Sequence, residues 1–188
     1  MSRKSLTFRT LLFAIAALAF AFTQANAQCK PPAKQQPPLS PAEQASVSLN
    51  GKSVTIDYCA PSLRGRKVGE QIAPYGKVWR TGANTATTLH TEANLRIGDQ
   101  VVPAGTYTLY TLPSAQEWKL IVNKQTGQWG TVYDQSKDLG RVSMSNGTAS
   151  TASVETFKID FEHTRGNQTE LHLLWGNTDV HVPVTAAD

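Results

Sequence analysis

Between Cys59 and Asn84 the chain reads CAPSLRGRKVGEQIAPYGKVWRTGAN, and this is where its side chains are best suited to chemistry. Arg64, Arg66, Lys67, Lys77 and Arg80 stand against one acid, Glu70, with Tyr75 and Trp79 interleaved. A guanidinium can clamp a carboxylate or phosphate with two parallel hydrogen bonds. An amide such as Asn84 can both donate to and accept from a hydroxyl. An aromatic ring can stack on a sugar or cover a site. Arg64, Arg66, Tyr75, Lys77, Trp79, Arg80 and Asn84 are therefore the candidate ligand-binding residues. The bland counterpart has Trp79 filling the end of the fold, Arg80 paired with a buried acid such as Asp57, and Asn84 capping a turn.

Other chemistries are less well supplied. If Gly176-Asn177 makes a two-residue turn, Trp175 opposes Thr178 and His172 faces His181 across the hairpin. Directly opposed side chains have Cβ atoms about 5 Å apart, near enough to share a metal. Zinc needs a third ligand, however, and the obvious neighbour is only Asp179. The expectation is a solvated histidine pair with no metal, His172 and His181 being the weak candidates. No Gly-x-Ser-x-Gly elbow, phosphate loop, dinucleotide fingerprint or cysteine-rich metal motif occurs, and no cofactor is expected. The catalytic residues of any hydrolase are unknown from sequence, because Asp57, Glu70, Glu117, Asp134 and Asp138 are widely spaced. The two cysteines, Cys29 and Cys59, leave a disulfide and two unpaired thiols equally open.

The elements that must position these residues read as strands. Ser53–Tyr58 alternates Val54, Ile56 and Tyr58 against Ser53, Thr55 and Asp57, and Asn50-Gly51 before it marks a tight hairpin with Ser46–Leu49. Residues 154–162 alternate equally cleanly. Further strands are expected over 85–91, 94–97, 106–112, 118–123, 141–145, 169–175 and 179–184. Turn signals separate them, and no apolar stripe of helical period appears beyond the N-terminal segment. Many short strands imply an all-β fold: an antiparallel β-sandwich, jelly-roll-like or barrel-like, with one long irregular loop.

Residues 1–27 read as a signal peptide. Arg3, Lys4 and Arg9 precede an apolar run of about 12 residues, too short for the ~20 that span a bilayer. Ala25-Asn26-Ala27 supplies a cleavage site, and Gln28 before Cys29 argues against lipidation. Residues 28–45 form a proline-rich tether, and 46–185 a single domain. The formal charge of +4 falls to +1 once the three basic residues of the leader are removed. That balance offers no basic face for nucleic acid. The expected location is periplasmic or extracellular, with no transmembrane segment left after cleavage. The 188 residues, 40% hydrophobic and 17% charged, exclude collagen, coiled coil and wholesale disorder.

Several runs together resemble the bacterial domain-of-unknown-function family 2911. They include Val54–Tyr58, Pro61-Ser62, Gly65–Lys67, Pro74–Asn84, Ala86–Thr88, Pro103–Leu109, Glu117-Trp118, Asn123-Lys124, Gln128–Gly130 and Leu174–Gly176. The resemblance implies a secreted or envelope-associated β-rich protein and assigns no activity or catalytic residue. The functional expectation is a small polar or anionic molecule, or an envelope protein, bound by the 64–84 loop. The alternatives are an envelope hydrolase acting on carbohydrate or peptide, and a structural or assembly module.

Overall fold

A computed structural model describes residues 39–147 and 152–187. The expected signal peptide, Cys29 and most of the expected tether lie outside the described residues. The strands are β1 (Ala42–Leu49), β2 (Lys52–Cys59), β3 (Thr87–Thr91), β4 (Asn94–Ile97), β5 (Gln100–Val102), β6 (Gly105–Leu112), β7 (Trp118–Asn123), β8 (Asp138–Asn146), β9 (Val154–Arg165), β10 (Gln168–Gly176) and β11 (Thr178–Ala187). One 3-10 turn, Gln135–Lys137, precedes β8, and there is no α-helix among the described residues. The fold is all-β, as the alternation implies.

All strand pairs are antiparallel, in the order β1-β2-β3-β6-β7-β8-β11-β10-β9, with β4 on the far end of β11 and β5 beside it. β8 joins the two halves, pairing with β7 along most of its length and with β11 at Ser145 and Asn146. The ends of the order approach one another: the Asn50 N–H donates to the Gly166 carbonyl, and the Ile159 N–H to the Tyr58 hydroxyl. The sheet is thus nearly closed into a barrel, the barrel-like form of the expected architecture. Closure also removes most of the exposed strand edge on which another chain could pair.

Period-two alternation dictates what fills the interior. Leu49, Ile56, Leu89, Leu109 and Leu120 come from one half, and Phe157, Ile159, Leu171, Leu173 and Val182 from the other, in one continuous core. Fully burying each such side chain contributes about 1.5–3 kcal/mol. Asn50 and Gly51 both have positive φ, the geometry of the tight turn that their types favour. The β10–β11 hairpin has the expected register, with Trp175 opposite Thr178 and His172 opposite His181.

Two details differ from expectation. β1 begins at Ala42, inside the stretch expected to be tether, because Ala42–Gln44 pair with Asp57–Cys59. Pro41 is tolerated there since it only has to accept, taking the Ala60 N–H through its carbonyl. The three-residue β5, too short to show a period, pairs with β4 across Gly98-Asp99.

Candidate functional site

The segment from Ala60 to Ala86, between β2 and β3, closes one end of the barrel. Short bridges hold it to distant strands. Leu63 donates to the Glu155 carbonyl and Phe157 to that of Pro61, while Trp79 and Thr111 exchange both backbone hydrogen bonds at 2.8 Å. Its apolar residues Leu63, Val68, Ile72, Ala73 and Trp79 join the main core. The Trp79 ring stacks on Trp175 at 5.3 Å and meets Phe157 and Trp118 edge-on. Trp79 is therefore a plug, as the bland reading had it.

The basic residues fare differently from one another. Arg66 spends its guanidinium on the segment itself, donating to the Leu63 and Ser62 carbonyls. Arg64 donates through Nη2 to the Leu39 carbonyl, and its backbone N–H is taken by Glu155. Lys67 faces Glu70 at 3.8 Å on the surface. Lys77 is exposed, and Tyr75 is exposed with its ring lying over Gly69.

Arg80 follows Trp79, and alternation turns it to the outer face of the barrel. Val78, on that same side, packs with a small outer cluster of Ala86, Tyr110 and Ile121. Arg80 is half-buried, and its Nε is sealed from solvent with no hydrogen-bond partner. Burial alone acts on its titration, pulling the guanidinium below its ordinary value, and no carboxylate counters it. Asp57, the acid expected beside it, instead accepts from Gln44 and lies 3.5 Å from His90.

The Gln128-Trp129-Gly130 run completes the surroundings. Gly130 donates its N–H to the carbonyl of Asn84, a residue held at φ +60°, and Trp129 bridges Thr85. A β-carbon at Gly130 would run into Arg80 Cδ and the Asn84 carbonyl, so only glycine lets the arginine stem lie there. Trp129 is 55% exposed. The Gln128 amide nitrogen donates to Thr108 and Tyr110, leaving its Oε1 buried and unpartnered, as is Gln125 Oε1. A cation, amide acceptors and an open indole thus share one outer face. Sequence reading missed Gln128 to Gly130 as site residues; two glycines flanking Gln-Trp were the available signal.

Of the seven candidates, only Arg80 and Asn84 lie against this loop. Arg64, Arg66, Lys77 and Tyr75 sit elsewhere on the crossover, and Trp79 points inward.

A second polar cluster lies on the outside of β9, β10 and β11. His172 is 4% exposed and His181 half-buried, so of the pair expected to be solvated one member is sealed. His172 stacks on His181 with ring centroids 4.8 Å apart. Its Nδ1 lies 2.9 Å from Asp179 and its Nε2 3.3 Å from Glu170, which also meets His163 Nδ1 at 3.0 Å. Burial pulls the His172 imidazole down, but its bonds to Asp179 and Glu170 outweigh that, and its pKa stands above the ordinary histidine value. The bond from His163 leads the causes that hold the Glu170 carboxyl low. Elsewhere, a groove of about 300 Å³ runs past Ser53, Thr55, His90 and Thr106. Cys59 is disulfide-bonded, and the chain's other cysteine, Cys29, lies outside the described residues.

Fold and sites together define an antiparallel, barrel-like β protein whose open end is stoppered by its own crossover. The family described as "protein of unknown function (DUF2911)" matches residues 40–184, and the chain belongs to it. Comparison with curated proteins and with solved structures returns no match.

Proposed function

We propose that this is an exported binding protein, periplasmic or extracellular, that holds a small anionic molecule on its outer face at Arg80. The observation that carries the reading is the unmatched guanidinium. A desolvated cation without a carboxylate is a standing electrostatic deficit, which an anionic ligand would remove. Asn84 and the Gln128 amide oxygen suit ligand groups that donate, and Trp129 suits an apolar or sugar face. A hydrolytic role would want an acid beside Arg80; Asp57, the acid expected there, is engaged by Gln44, and Glu70 faces Lys67.

Melting temperatures of the full chain in inorganic phosphate and in citrate, against chloride at equal ionic strength, test this. Wild type is stabilised by at least one of the two anions, Arg80→Gln loses the effect, and the Arg64→Gln control keeps it. Binding to the folded form at a hundred times Kd adds about 2.7 kcal/mol. Equal melting in all three salts, or an undiminished shift in Arg80→Gln, overturns the reading.

A further inference from the structure

The histidine cluster is independent of Arg80 and has the composition of a metal site. Donor atoms of His172, Asp179 and His181 all lie within 4.8 Å of one another. Donors around a tetrahedral ion at about 2.1 Å stand roughly 3.4 Å apart, and because the two imidazoles lie nearly parallel, one ring must turn out of the stack to bring its nitrogen onto a shared ion. His181 Nδ1 is buried without a hydrogen-bond partner, a lone pair or proton that nothing among the described residues uses. His172 is already oriented, because its Nε2 faces Glu170 while Nδ1 faces Asp179. A carboxylate on the far ring nitrogen is the usual outer support of a ligating histidine.

A second trio, Glu162, His163 and His172, also converges, but His163 is exposed and already bonded to Glu170. The inner trio is the better built of the two.

We propose that His172, Asp179 and His181 bind one divalent transition-metal ion of the zinc class, with a fourth position left to solvent. Two imidazoles and one carboxylate select zinc, cobalt, nickel or copper over magnesium and calcium, which prefer all-oxygen shells. On binding, His172 Nδ1 gives its lone pair to the ion in place of the proton it shares with Asp179, and that proton leaves to solvent. The site needs rigid neighbours, and the hairpin register supplies them: His172 and His181 are directly opposed, and Asp179 is two positions from His181 on the same face.

The experiment is equilibrium dialysis of the tag-free, chelator-treated full chain with Zn²⁺, alongside the visible spectrum with Co²⁺. Wild type takes up one equivalent and shows cobalt ligand-field bands that excess Mg²⁺ leaves in place. His181→Phe keeps the ring stack and Asp179→Asn keeps the shape, yet each weakens zinc binding at least about tenfold. Arg80→Gln binds as wild type does, so this result is independent of the anion test, and His163→Gln, which removes a bond to Glu170 but no donor, weakens binding less than His181→Phe. No stoichiometric uptake by wild type, or undiminished uptake by folded His181→Phe, overturns the proposal.

Discussion

Two arginines flank the outer cluster around Tyr110, and they are treated in opposite ways. Arg141 donates through Nε to Asp138 at 3.0 Å and through Nη2 to the Tyr133 hydroxyl at 2.7 Å. Asp138 in turn accepts from Tyr133 and from the side chain of buried Asn123. Burial opposes the Arg141 charge, but Asp138 and Tyr133 more than compensate, and its pKa is raised. Arg80 has burial without compensation, and its pKa is lowered. At Arg141 the fold supplies a carboxylate, and Arg64 and Arg66 are satisfied by backbone carbonyls. Arg80, half-buried with neither, is the place to look for a partner from outside.

The contrast can be attacked at several depths. The largest effect belongs to Trp79, whose inward packing is independent of its neighbour's charge. Trp79→Ala should cost about 3–5 kcal/mol in urea unfolding, and a loss under 1 kcal/mol would mean that the crossover does not stopper the barrel. Next comes Asp138→Ala, which strands Arg141, Tyr133 and Asn123 together. Its expected cost is about 2–3 kcal/mol, and a near-neutral result would erase the distinction between the two arginines.

Tyr133 reports on the same network through pH. Burial, and then the bond to Asp138, push its phenol up to about 12. A raised value favours the neutral form in the folded state. Its contribution is therefore whole below pH 10 and is lost as pH climbs from 10 towards 12. Absorbance titration of the folded protein should show one tyrosine ionising late for this reason, and Asp138→Asn should bring it earlier; an unchanged titration would remove Asp138 as a cause. The smallest effect is at Arg80 itself. Arg80→Gln should leave stability in chloride unchanged or raise it by up to about 1 kcal/mol, because it removes a half-buried cation that has no carboxylate. A loss of 2 kcal/mol or more would show that Arg80 has an internal partner after all.

Much of the scaffold was legible because strands announce themselves by period. The Asn50-Gly51 turn and the pairing of His172 with His181 both followed from residue types and a count of two. The candidate site was legible only in part. No period fixes which way Trp79 and Arg80 point in an irregular segment; a bridge to Thr111, far along the chain, decides it. The role of Gly130 depends on the path of Arg80, and the sealing of His172 on acids contributed by its own strand and the next. β5 is simply too short to carry a pattern.

The stopper has a consequence for how the chain reaches its native state. Leu63, Val68 and Trp79 are made early, but two of the three rings that receive Trp79, Phe157 and Trp175, come from the last three strands. Contacts so remote in sequence form slowly, since a long loop must be closed before any reward is gained. A chain ended before β10 would leave these residues greasy and unhoused, so C-terminal truncation should yield aggregates rather than a smaller barrel.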